Sequence, residues 1–333
     1  MPIYLEAIPA ASKRLYLHSF VEEVMRSCSA PGKMILFGEH AVVFGKPALA
    51  MAVDLRVKAS VNVSDQYSVN GHPMRARHHA YISAALDEAW DGPPLSVTTK
   101  SSIPSGSGLG SSAAVTVSTI GAILAERGQF DAERVARKAF EVEYLVQRRA
   151  SPTDTSASTH GSGILVSPDR LDGFLWRIEK GTQEWNIHHC DVRKLTFVVG
   201  YTGVHAPTGP LVQKVKEFVE SDAEGRKAID RIGEIVMDGA DAVAQADKPR
   251  LGALMRENHS LLCELGVGHP SIDKLIESCS EMCYGEKITG AGGGGSIIAL
   301  TDAPKDVSEA ISAVGGRPII VRVGGSGVLV ERQ

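Results

Sequence analysis

Pro104-Ser-Gly-Ser-Gly-Leu-Gly-Ser-Ser-Ala-Ala114 places three glycines at alternate positions ahead of two serines. A small, apolar run, Ala113-Ala-Val-Thr-Val-Ser-Thr-Ile-Gly-Ala-Ile-Leu-Ala125, comes directly after them. Gly106, Gly108 and Gly110 carry no side chain to hold a ligand off the backbone, and they accept the positive φ values that aim successive N–H groups at one anion. The run behind them predicts a helix whose N-terminal dipole adds to that attraction. A flexible Gly/Ser linker would not lead directly into such a helix, so the stretch reads as a phosphate cradle.

The rest of the chain has to supply what the cradle serves. At 333 residues it has room for two ordinary domains, and 43% hydrophobic with 22% charged content is that of a soluble globular protein. A formal charge of −4 offers no basic surplus for nucleic acid, so an anion must be held by local groups. No apolar run reaches the ~18 residues of a membrane span and no cleavable secretory signal is evident, which predicts a cytoplasmic protein without membrane or nucleic-acid partners. Cys28, Cys190, Cys263, Cys279 and Cys283 form no paired CxxC pattern and read as reduced thiols.

Residues 1–26 differ in character from the remainder of the chain and read as an N-terminal extension that need not be native, with Met25 as an alternative start. Beyond it, Met34-Ile-Leu-Phe37 reads as a short buried strand, with Lys33 just before it and Glu39 and His40 in the turn after it. Strands are predicted over 50–63 and 95–103, the second delivering the chain into the cradle, and helices over 79–90 and 132–149. On the latter helix Glu141 and Glu143 stand about 200° apart, so only one can face the cradle. Pro152 ends that helix and leaves Asp154 in a turn of small residues, where it either projects into a site or caps a following helix.

Further strands are predicted over 163–166, 174–178, 195–200 and 317–330, and helices over 210–219, 228–246, 248–265 and 271–282. In Lys287-Ile-Thr-Gly-Ala-Gly-Gly-Gly-Gly-Ser-Ile-Ile-Ala-Leu300, four glycines before a buried strand indicate close backbone approach to a ligand or a second loop. The expected division is an N-terminal domain over 27–165 and a C-terminal domain over 166–333.

GxxxxGK[ST] is absent, and the glycines of the central loop, at 106, 108 and 110, do not make a GxGxxG. Three motifs in order, Ala30-Pro-Gly-Lys-…-Gly-Glu-His40, Pro104-x-Gly-x-Gly-Leu-Gly-Ser-Ser-Ala113 and Lys287-x-Thr-Gly-Ala-Gly-Gly-Gly-Gly295, resemble the three signatures of the GHMP kinase superfamily. The run Phe37-Gly-Glu-His-Ala-Val-Val43 is most similar to its mevalonate kinase branch. The resemblance implies an α+β fold of two domains, an N-terminal one like domain 2 of ribosomal protein S5 and a C-terminal ferredoxin-like one, with ATP, Mg²⁺ and mevalonate between them. It further implies a homodimer.

Carried over position by position, Pro104, Ser105, Gly106, Ser107, Gly108, Leu109, Gly110, Ser111, Ser112 and Ala113 would bind ATP. Ser112 and Glu143 would hold Mg²⁺, Glu143 being preferred to Glu141 by its interval to Asp154. Asp154 would be the catalytic aspartate, with Lys33 as its partner. Glu39, His40, Thr202 and Ala291 would contact mevalonate, with Arg148 or Arg149 pairing with its carboxylate. The family's Asn-Pro-Ser-Gly-x-Asp is Ala-Ser-Pro-Thr-Asp here, so the backbone before Asp154 is expected to differ. The alternatives are another reaction of the superfamily, such as that of a phosphomevalonate kinase, a mevalonate 3-kinase or a diphosphomevalonate decarboxylase, or a nucleotide sensor without catalysis.

Overall fold

A computed structural model describes residues 26–148, 150–205 and 208–331. The extension expected over 1–26 lies outside these apart from Arg26, which opens the first strand. The chain begins with β1 (Arg26–Phe37) and β2 (Ala48–Val63), which pair antiparallel along nearly their whole length. After β3 (Ser68–Val69), β4 (His72–Pro73) and α1 (Ala80–Ala89), β5 (Leu95–Ser101) pairs with the C-terminal half of β2. The glycine loop then leads into α2 (Ser111–Glu126), with α3 (Ala132–Gln147) and α4 (Thr153–His160) next in the chain.

β6 (Gly163–Ser167) returns to the N-terminal half of β2, and β7 (Phe174–Lys180) and β8 (Gln183–Cys190) extend the sheet in the order β4-β3-β5-β2-β6-β8-β7. β2 can serve as hub because its sixteen residues bury both faces for most of their length. α2 is buried almost throughout against β1 and β2, which its small residues allow: a side chain at Gly121 would meet Val328 and Cys28 at 3.1 and 3.3 Å.

The expected boundary at 165/166 falls inside this sheet. β6, β7 and β8 are hydrogen-bonded members of it, so the first unit runs to Cys190. The second unit comprises β9 (Thr196–Tyr201), α5 (Thr208–Ser221), α6 (Ala223–Gln245), α7 (Lys248–Glu264), α8 (Pro270–Cys279), β10 (Gly285–Thr289), β11 (Ser296–Leu300), α9 (Pro304–Ala313) and β12 (Arg317–Arg322). Its antiparallel sheet runs β10-β11-β9-β12, the βαββαβ order of a ferredoxin-like fold, with α5 to α8 as the first crossover. Asp222, Asp247 and His269 cap α6, α7 and α8 through their side chains, which fixes where each helix starts.

The strand expected over 317–330 is in fact two. After β12 the chain crosses back, and β13 (Leu329–Glu331) pairs with β1 in the first sheet. The units share one core: Met34, Leu36, Phe37 and Met51 pack with Phe197, Val199, Ile235, Met255 and Ile298 in a single buried cluster. Among the described residues no helix is long and apolar enough to cross a membrane.

α7 lies directly on β10. A Cβ at Gly252 would fall 2.0 Å from the Tyr284 carbonyl oxygen, and one at Gly285 would fall 2.2 Å from the Gly252 carbonyl oxygen. Gly252→Ala must therefore push helix and strand apart, and urea unfolding is expected to show a loss of about 1–3 kcal/mol, the scale of overpacking in a core. An unchanged midpoint would refute the contact.

Candidate active site

The two units enclose a cleft of about 600 Å³. The glycine loop forms one wall, with Pro104, Gly106, Ser107, Gly108, Leu109, Gly110, Ser111 and Ser112 lining it. Ser105 and Ala113, also expected to bind nucleotide, are outside the lining; Ser105 is exposed and Ala113 is buried in the α2 packing. The three alternate glycines have φ of 75°, 77° and 69°, the left-handed conformation expected of them. Among the described residues no backbone carbonyl accepts from the N–H groups of Gly106, Gly108 or Gly110, so these donors are free for a ligand. The loop is held from outside: Ser107 Oγ donates to the Pro104 carbonyl at 2.8 Å, and Ser296 Oγ of the second unit donates to the Ser107 carbonyl at 3.0 Å.

Lys33 lies within β1, at an irregularity in the β1–β2 register between Pro31 and Lys33, and not ahead of the strand as expected. Its N–H donates to the Leu109 carbonyl at 3.0 Å, and its side chain passes Gly110, where a Cβ would lie 2.7 Å from Lys33 Cγ. The buried ammonium reaches Asp154 Oδ2 at 2.9 Å. Asp154 does not sit in a turn. It occupies the first turn of α4, where the free helix N-terminus favours a carboxylate.

α4 is made of buried Ser, Thr and Ala residues, and its hydroxyls are satisfied locally: Thr159 Oγ1 donates to Thr155 O at 2.8 Å and Ser158 Oγ to Pro31 O at 2.6 Å. The second bond ties the helix that carries Asp154 to the strand that carries Lys33.

Glu143 lies on the buried face of α3 with Val135, Ala139 and Phe140, whereas Glu141 points outward and pairs with Lys180. Gln147 Nε2 donates to Glu143 Oε1 at 3.0 Å, and Oε2 is buried without a partner. Burial first, and then the Asp154 carboxylate, push Glu143 up to about 8. An orphaned acidic oxygen near a second carboxylate, with the Ser112 hydroxyl lining the same cleft, is a hard oxygen donor set, and it fits a magnesium ion.

Glu39 and His40 lie in the turn that follows β1 and line the cleft. His40 has φ 61°, and its Nε2–H donates to the Ala291 carbonyl at 3.0 Å. Burial holds the imidazole below its ordinary range, so it is neutral and Nδ1 is left as an acceptor, buried and without a partner. Glu39 Oε1 accepts from Lys287 Nζ at 2.5 Å, and Glu39 Oε2 is likewise buried and unpartnered. Burial pushes Glu39 up and Lys287 down, and each of the two opposes the other's shift.

Thr202 is not among the lining residues. Its hydroxyl donates to the Gly295 carbonyl at 2.9 Å and so shapes the second glycine loop. Arg148 is exposed at the end of α3, outside the lining, and Arg149 lies outside the described residues. Sequence reasoning missed Lys287 and Gln147; a lysine in a strand buried at all five positions, as β10 is, was the available signal for the first.

Comparison with known proteins agrees with this geometry. Residues 78–162 match the GHMP kinases N terminal domain and residues 240–318 match GHMP kinases C terminal, which defines the class. A mevalonate kinase of Thermococcus sibiricus is 37% identical over 91% of this chain and 97% of its own. The solved mevalonate kinase of Methanococcus jannaschii superposes with a TM-score of 0.74 at 24% identity, over 91% of this chain and all of its own. The L. major mevalonate kinase in complex with R-mevalonate superposes with 0.73 at 23% identity, over 90% and 96%. The chain belongs to the mevalonate kinase family of the GHMP kinases.

Gly110→Ala would set a Cβ against the Lys33 side chain in a strained backbone. We expect turnover to fall about tenfold or more through misplacement of Lys33, with the melting temperature lowered by only a few degrees. Wild-type kcat in the variant would show that Lys33 does not need this path.

Proposed function

We propose that the protein transfers the γ-phosphoryl group of ATP to the C5 hydroxyl of (R)-mevalonate, giving 5-phosphomevalonate for isoprenoid biosynthesis. The observation that carries this reading is the Lys33–Asp154 pair at 2.9 Å between an anion loop with free N–H donors and a wall of unpartnered acceptors. Glu39 Oε2 and His40 Nδ1 lack protein donors, so they select a ligand that brings hydroxyl groups, as a dihydroxy acid does. Kinship with mevalonate kinases of known name supports the choice of acceptor.

The loop from Gly106 to Ser112 receives the triphosphate on backbone N–H groups. Ser112 and Glu143 would hold Mg²⁺, which when bound neutralises phosphate oxygens. Burial and the neighbouring Asp154 carboxylate push the Glu143 pKa up, and a cation held there would favour its charged form. Lys33 stabilises charge developing on the attacking oxygen. Asp154 aligns the hydroxyl and accepts its proton; in a loose transition state that transfer comes late, so orientation is the larger part of its work. The same reading carries a homodimer, on family resemblance alone.

A coupled ADP-release assay with mevalonate, phosphomevalonate, galactose and homoserine tests the proposal: turnover with mevalonate is expected to exceed the others, and preference for another acceptor would reassign the enzyme. ADP release with none of them would leave a nucleotide sensor. Asp154→Asn is expected to retain nucleotide binding and lower kcat about 10²-fold or more, and near-normal turnover would remove Asp154 from catalysis. Ser112→Ala should raise the Mg²⁺ concentration needed for half-maximal rate, and an unchanged titration would exclude Ser112 as a ligand.

A further inference from the structure

Lys287 is 0% exposed, and its ammonium has two partners, Glu39 Oε1 at 2.5 Å and the Ile288 carbonyl at 2.6 Å. The side chain also lies over the Phe37 ring at 5.9 Å. Isolating a lysine and a glutamate from water is expensive, and a well-packed apolar pair would stabilise the fold as well or better. The pair also joins the two units, Glu39 coming just after β1 and Lys287 belonging to β10. Two neighbouring bonds already do that work at no charge: His40 to Ala291, and Thr289 Oγ1 to the Ile35 carbonyl at 3.0 Å. Stapling the units therefore does not account for an ion pair here.

What the pair does achieve is specific to Glu39. One carboxylate oxygen is fixed by the ammonium, and the other is left buried, unpartnered and part of a residue that lines the cleft. We propose that Lys287 is a positioning residue for the phosphoryl acceptor, holding the Glu39 carboxylate in its charged form and in one orientation so that its free oxygen accepts a hydrogen bond from a substrate hydroxyl. Lys287 touches no part of the acceptor and acts through Glu39. The inference rests on the proposed mevalonate kinase activity and adds the means by which the cleft recognises an alcohol. An ionised acceptor oxygen with no protein donor demands an O–H or N–H from its ligand, and charge-assisted bonds of this kind are roughly twice as strong as neutral ones.

The charged and titratable groups around Glu39 are Lys287 on β10, Lys33 on β1 and the adjoining His40, with His259 of α7 facing Lys287 from behind. In Lys287→Met the carboxylate keeps its burial and loses its main cation, so it ionises only at higher pH. Lys33 remains and limits the size of the effect.

The test measures kcat and both KM values between pH 6 and about pH 9 for the wild type, Lys287→Met, Lys287→Arg, Glu39→Gln and the Glu39→Gln/Lys287→Met double variant. Lys287→Met is expected to raise the KM for mevalonate about tenfold, leave that for ATP within about twofold, and give a kcat/KM for mevalonate that climbs with pH where the wild type is flat. Lys287→Arg should recover part of the loss. The double variant should match Glu39→Gln, with no climb. Equal losses toward both substrates, a pH profile parallel to the wild type, or a double variant whose loss is the product of the two single losses would each overturn the assignment. If Lys287→Met does not fold, the double variant, which buries no charge, is compared with Glu39→Gln alone, and a markedly poorer mevalonate KM in the double variant overturns it. Failure of the underlying activity is separable: the wild type would then release no ADP with mevalonate.

Discussion

The bond from the Lys33 N–H to the Leu109 carbonyl, 3.0 Å long, fixes the geometry on which the cleft depends. It draws the glycine loop onto β1 so closely that a side chain at Gly32 would lie 2.7 Å from the Leu109 oxygen. With the two segments in contact, the Lys33 side chain has one path, past Gly110, and arrives at Asp154. α2 starts where the loop leaves β1, so the helix dipole, the free N–H groups and the ammonium converge on one region, with the one long side chain involved, Lys33, held to its path by Gly110. Electrostatic preorganisation of this kind costs no rearrangement when charge develops on a transferred group.

Around that point the site is built from pairs rather than single residues. Lys33 with Asp154, Lys287 with Glu39 and Gln147 with Glu143 each fix one oxygen or nitrogen and leave another exposed to the cleft or unpartnered within its wall. Unsatisfied buried polar atoms are costly, and their gathering around one cavity is what a site that receives a polar ligand requires. The second unit contributes half of the arrangement through Ala291, Ser296 and Lys287, so neither sheet alone makes a site.

Much of this was legible in the sequence because the signals are local. Glycines at 106, 108 and 110 announce positive φ, and all three have it. Helical period allowed only one of Glu141 and Glu143 to face the cradle, and the family's interval to Asp154 chose Glu143; the structure buries Glu143 and pairs Glu141 with Lys180. Four features were not legible. α4 reads as a turn because Ser, Thr and Asp favour caps, and it forms a helix because burial returns its hydroxyls to nearby carbonyls. The 165/166 boundary falls inside the first sheet because sheet membership is set by which edge of β2 is free, and composition carries no record of that. Lys287 meets a partner 248 positions away, and Thr202, expected to contact mevalonate, donates instead to the Gly295 carbonyl of the second glycine loop.

The return of β13 to β1 has a consequence for how the molecule is made. Ser27 pairs with Glu331, so the first sheet holds an edge that nothing covers until almost all the described residues have left the ribosome. Domains generally assemble in the order of synthesis, but this N-terminal unit cannot finish before the C-terminal one has been emitted. Only the N-terminal end of β1, Ser27 to Ser29, is kept waiting, since the strand has β2 as its partner along its length. Closing a loop on that scale costs entropy, so the pairing of Ser27–Ser29 with Leu329–Glu331 is the last and slowest contact the first sheet has to find.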